Sequence, residues 1–238
     1  MSGLLRSLNR SQLLYNSILF NTTKQNKALF ISNLNPISQT TTRNYIGKMR
    51  KAAFQDKILR LLRNEIEYEL ERSPPKQPIA KFNSFTVDER SGERWIRLNR
   101  KFGENEDIKV EATMFDGSIP VSKGGVAAGE DVKLHITLIV NISKGDGEVL
   151  EITCSAWPDT IDINQLFVRE NNKMSAQPYV GPEFKALDDE LQDSLYEFLE
   201  ERGINEQLAV FLHEYMRNKD RIEVIRWMQT VKSYIEKQ

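Results

Sequence analysis

Apolar residues recur along this chain in three successive rhythms. Over residues 46 to 72, Ile58, Leu61, Leu62 and Ile66, with Leu70 one step on, follow the three-and-four spacing of a helical stripe. Ser73-Pro74-Pro75 ends that stripe, because proline lacks an N–H and restricts its predecessor. From residue 79 to 170 the period becomes two. Val132, Leu134, Ile136, Leu138, Val140 and Ile142 alternate with Lys133, His135, Thr137, Ile139 and Asn141. Ile108, Val110, Ala112 and Met114 repeat the pattern, as do Leu150, Ile152, Cys154 and Ala156. Alternation of this kind predicts strands with one dry face. Ser91-Gly92, Asp116-Gly117, Gly124-Gly125 and Gly145-Asp146-Gly147 mark turns, and the short gaps predict hairpins in an antiparallel sheet. Helical spacing returns over residues 187 to 202 and 205 to 236. Gly203 is placed to end the first of these helices in a left-handed conformation, Asn205 to cap the second, and Asn218-Lys219-Asp220 to bend it. Strands followed by helices point to an α+β fold.

The helix at 187 to 202 divides sharply. At about 100° per residue, Leu187, Leu191, Leu195, Phe198 and Leu199 share one arc. Asp189, Glu190, Asp193, Glu197, Glu200 and Glu201 fill the opposite one. Asp188, Asp189 and Glu190 are read into the first turn, where the helix dipole favours anions. Glu200 and Glu201 lie in the last turn, where it disfavours them by about 0.3–1 kcal/mol each. Asp189–Asp193, Asp193–Glu197 and Glu197–Glu201 are like-charge pairs four residues apart, each costing a few tenths of a kcal/mol. The acids form either a solvated face or a docking face for a cationic partner.

Charge is unevenly spread along the chain. Of 33 bases and 34 acids, seven bases and no acid lie in residues 1 to 50, leaving 26 bases against 34 acids, a net of −8, in the remainder. An acid-free, Arg-bearing, Ser/Thr-rich leader has the composition of a transit peptide, expected over residues 1 to 45, ahead of a single domain from 46 to 238. No stretch reaches the length of apolar residues that a membrane span needs. One cysteine, Cys154, excludes an intrachain disulfide and a Cys-based metal site.

Catalytic patterns are absent from the sequence. His213-Glu214-Tyr215-Met216-Arg217 opens like a helical zinc motif but ends in Arg217 where the second histidine belongs. His135, the other histidine, faces away from the apolar residues of its strand. Lys123 to Gly129 is glycine-rich without the Gly-Lys-Ser/Thr of a phosphate loop. Ser155 lacks a nucleophile-elbow frame, and Cys154 reads as a packing thiol. No metal or cofactor is expected. Arg94, Arg97, Arg100 and Lys101 interleave with Trp95 and Phe102, a pattern that stacks and neutralises single-stranded nucleic acid or merely keeps a strand edge soluble. Trp227 and Tyr234 give the last helix more apolar positions than one packing stripe needs, which suits contact with another helix or another subunit.

Six segments taken in order, "ILRLLRNEIEYEL", "WIRL", "IKVEATMFDG", "EITCSAWPDTIDI", "YVGPEFKALDDELQDSLYEFLEERGI" and "VIRWMQTVKSYIEK", resemble the mitochondrial acidic matrix protein family, also called the mitochondrial glycoprotein family. The resemblance runs from about Ile58 to the C-terminus. It implies a highly twisted antiparallel sheet of seven strands, flanked by one N-terminal and two C-terminal helices, and a ring of three subunits with one acidic side. It further implies residence in the mitochondrial matrix, no enzymatic activity and no cofactor. Members are multi-partner binding proteins that support mitochondrial gene expression, ribosome function and oxidative phosphorylation. The expected partners are basic matrix proteins docked on Asp189, Glu190, Asp193, Glu197, Glu200 and Glu201. The alternative is RNA or the mitochondrial ribosome, held through Arg94, Arg97, Arg100 and Lys101. The chain departs from the animal member in its loops: Gly117 to Gly129 and Ser143 to Glu148 carry few acids, so negative charge would rest on the 188 to 201 helix.

Overall fold

The computed structural model describes residues 39–120, 132–145, 147–170 and 179–237. Two units divide the chain, residues 1–58 with 122–131 and residues 59–121 with 132–238. The first contributes the opening turns of helix α1, Gln39–Arg72. That helix starts seven residues before the expected position 46, since the last proline ahead of it is Pro36. The glycine-rich Lys123 to Gly129 segment lies outside the described residues.

The second unit holds the sheet. Its strands are β1 (Lys81–Phe82), β2 (Phe85–Glu89), β3 (Trp95–Phe102), β4 (Glu106–Thr113), β5 (Gly117–Pro120), β6 (Val132–Ser143), β7 (Glu148–Ala156) and β8 (Ile161–Glu170). Seven follow the order β1-β2-β3-β4-β6-β7-β8, with every neighbour antiparallel as the hairpin spacing predicts. The eighth, β5, pairs with the start of β6. Sequence reading assigns Gly117 to Pro120 to a loop. Its glycine start and proline end hide a short strand whose four residues are all exposed.

Alternation puts Leu98, Val110, Val140 and Ile152 in one row across the sheet, all buried. Each contributes about 1.5–3 kcal/mol through burial. Against this face pack α2 (Asp189–Glu201) through Leu199 and α3 (Glu206–Glu236) through Leu208, Phe211, Leu212 and Met216. Phe82 stacks on Phe211 with ring centroids 4.1 Å apart. The other sheet face carries Arg97, Glu111, Ile139 and Thr153 in register, all half-buried.

Helix α3 runs unbroken through Asn218-Lys219-Asp220, against the expected bend. The triplet's first two residues clip loops instead. Asn218 exchanges two hydrogen bonds of 2.8 Å with the backbone of Lys76. Lys219 is fully buried and reaches Glu89 at 3.2 Å, Glu223 at 3.3 Å and the Arg90 carbonyl at 3.1 Å. Tyr215 donates to the second oxygen of Glu89. The Gly92 N–H donates to Glu223 at 3.0 Å, so the β2–β3 turn is fastened to α3.

Candidate functional site

The acidic helix is α2. Asp188 is its cap rather than part of its first turn: its side chain accepts from the Glu190 N–H at 3.0 Å. Leu199 is buried and Leu195 and Phe198 half-buried, whereas Leu191 is exposed and packs less than the apolar arc predicts. Asp189, Glu190, Asp193, Glu197, Glu200 and Glu201 are all exposed, so the structure brings the six together on one outer face. Among the described residues, five of them form no ion pair; Glu201 lies 3.8 Å from Arg202.

Two guanidiniums compensate the end of that helix, which the sequence alone leaves uncompensated. Arg202 donates to the Phe198 carbonyl at 2.9 Å and grips Glu106 with bonds of 2.9 and 3.1 Å. It is buried between the rings of Phe198 and Phe102, 3.5 and 4.6 Å from their centroids. The hydrogen bonds from Arg202 outweigh burial and hold the Glu106 carboxyl below the usual range. Arg100 donates to the Arg202 carbonyl at 2.8 Å. Gly203, at φ +78°, completes the stop: its N–H bonds the Glu200 carbonyl at 2.8 Å, and the Ile204 N–H bonds that of Leu199 at 2.9 Å. The helix end is therefore met by one guanidinium next to Glu201 in sequence, Arg202, and by a second, Arg100, 102 residues earlier, which no local pattern reveals.

The base–aromatic stretch is split by the pleat. Arg100 lies under the α2–α3 turn on the helix-covered face. Arg97 lies on the opposite face, donating to Glu111 at 2.9 Å and stacked 3.9 Å above Trp95. Lys101 is exposed and 3.8 Å from Asp107. Arg94 is exposed at the start of β3.

Other candidate groups are structural. His213 is 2% exposed and bonds the Ala156 carbonyl at 3.2 Å through Nε2, with Nδ1 unpartnered; burial pushes its pKa down. His135 faces away from the core as expected, and is held 2.6 Å from Asp116. Cys154 is buried, and burial pushes its thiol up to about 12, which leaves it unreactive. Among the described residues no three His, Cys, Asp or Glu side chains could hold a metal, and no helix is long and apolar enough to cross a membrane.

The family model for the mitochondrial glycoprotein matches residues 62–235. An uncharacterized mitochondrial protein of Arabidopsis thaliana is 28% identical over 200 residues, covering 81% of this chain and 80% of its own. The mitochondrial acidic protein mam33 of Schizosaccharomyces pombe is 24% identical over 214 residues, covering 76% and 79%. Among solved structures, the Trypanosoma brucei p22 protein superposes with a TM-score of 0.64 at 22% identity, over 77% of this chain and 100% of that one. A Leishmania major protein described as a sequence homologue of human p32 superposes at 0.61 and 21% identity, over 76% and 99%. Those two likenesses bear on the fold.

Proposed function

This chain belongs to the mitochondrial glycoprotein family, and from that premise we propose that it is a non-enzymatic binding protein of the mitochondrial matrix. In this reading it forms a homotrimer that docks basic segments of partner proteins on α2, in support of mitochondrial gene expression, ribosome function and oxidative phosphorylation. The observation that carries the reading is the outer face of α2: six carboxylates, all exposed, five of them without an ion pair among the described residues. An array of that kind attracts cationic segments and speeds their encounter.

The trimer rests on apolar surface that a single chain leaves open. On α1, Leu61 and Tyr68 are half-exposed one heptad apart, and Phe54 continues the same spacing one heptad earlier. On α3, Val224, Trp227 and Tyr234 follow the three-and-four spacing of a coiled-coil seam, with Trp227 57% and Tyr234 76% exposed. Within the second unit the two helices meet where Arg63 pairs with Glu236 at 2.9 Å. Three copies would bury the seams and set three acidic helices on one assembly, adding avidity.

The test replaces Glu197, Glu200 and Glu201 with Gln. Capture of basic matrix proteins should fall about tenfold at low salt, taking roughly 0.5 kcal/mol per exposed charge contact. It should also weaken in the unaltered protein as salt rises. Capture that survives both changes would sink the docking role.

A further inference from the structure

A cleft of about 500 Å³ opens at the start of β3, beside the neighbouring end of β4. Small-molecule sites span roughly 300–1,000 Å³. Arg94, Trp95 and Arg97 line it, opposite Glu111, Thr113 and Asp116. The acids in it are already satisfied. Glu111 accepts from Arg97 at 2.9 Å and pairs with Lys109 at 2.8 Å. Asp116 accepts from the Thr113 hydroxyl at 2.8 Å and lies 2.6 Å from His135 Nδ1.

The bases keep donors in reserve. A guanidinium carries five N–H groups. Arg97 commits its Nε–H to Glu111 and one face to Trp95. The side chain of Arg94 makes no hydrogen bond or ion pair among the described residues; its charge acts on the Asp220 carboxyl of α3, which burial pushes up and Arg221 and Arg94 partly offset. Two guanidiniums with N–H groups not committed to hydrogen bonds thus flank a half-buried indole in a cleft of ligand size.

We infer that this cleft binds a nucleoside phosphate, with Arg94 and Arg97 holding the phosphate and the base packed against the Trp95–Arg97 stack. A free nucleotide and a nucleotide of single-stranded RNA present this same chemistry. Arg100 and Lys101 take no part, since one caps α2 and the other lies at the far end of β3. The site shares no residue with the acidic face, so either can fail without the other.

Titration calorimetry of the 238-residue chain with adenosine 5′-monophosphate tests this. One saturable site per chain is expected. Arg94→Gln should weaken it about tenfold or more, the loss of a charge-assisted contact. Arg94→Lys should recover only part, because an ammonium does not grip phosphate bidentately. Gln at 197, 200 and 201 should leave it unchanged. A single-stranded oligoribonucleotide of about eight residues separates the sources: much tighter binding that is also lost in Arg94→Gln assigns the site to RNA, and equal binding assigns it to free nucleotide. No saturation, an unaffected Arg94→Gln variant, or inorganic phosphate binding as tightly as the nucleotide would each overturn the assignment.

Discussion

Replacing Lys219 with Met tests how α3 holds the β2–β3 turn. Methionine keeps most of the apolar stem and removes the ammonium. Lys219 is fully buried, and Glu89 and Glu223 beside it are only 12% and 18% exposed. Glu223 retains Arg226 and the Gly92 N–H, but Glu89 retains only the Tyr215 hydroxyl. Removing one partner of a buried ion pair costs about 3–5 kcal/mol. The residual partners of Glu223 place this case near the lower end, about 3–4 kcal/mol. For a domain of this size that lowers Tm by roughly 6–16 °C, at about 2–4 °C per kcal/mol. Urea unfolding followed by circular dichroism, at one fixed protein concentration, reads the loss directly. One further outcome follows from the charge argument. Adding Glu89→Gln to the variant should regain part of the lost stability. A loss below about 1 kcal/mol, or one that Glu89→Gln does not relieve, would mean that Lys219 contributes packing alone.

Gly203→Ala should destabilise the protein by more than the ~1–2 kcal/mol of left-handed strain, because the new Cβ would lie 2.7 Å from Arg100 Nη1 and disturb a cap of α2; thermal melts check this. Glu197→Gln should raise stability by a few tenths of a kcal/mol, since it relieves two like-charge pairs on α2, even as docking weakens; paired urea melts and capture assays show the opposition. The pH profile should fall in two steps on the acid side. His213 has a folded pKa below its unfolded value of 6.5, so its contribution is complete above that value and is lost as pH falls through it. Glu106 is likewise depressed below 4.5, so the Arg202–Glu106 contribution is present above that pH and is lost as pH drops further. In His213→Gln the first step should vanish, as urea midpoints across pH 4 to 8 would reveal.

Strands and helices were legible where burial is one-sided. The alternation in β4, β6 and β7 sets the buried row, and the stripe in α2 separates Leu199 from its acids, because a period of two or of three-and-four records which side meets the core. What escaped the sequence depends on contacts between distant segments. Lys219 reads as a break in α3 until Glu89, 130 residues earlier, is placed beside it. Arg100 reads as one more base in a cationic strand until the pleat turns it under Gly203. The six acids of α2 could be grouped from the helical wheel alone. The capping of its last carbonyls by Arg202 and Arg100 could not, and it offsets the dipole argument for assigning Glu200 and Glu201 a function. The proposed role of the six rests on their exposure and on five of them having no ion pair among the described residues.

Light scattering on the intact chain at low and at high salt addresses the assembly most directly. Apolar seams on α1 and α3 predict a particle of about 83 kDa, three times 27.6 kDa, whose mass does not change with salt. A 27.6 kDa monomer, or a trimer that salt dissolves, would contradict it.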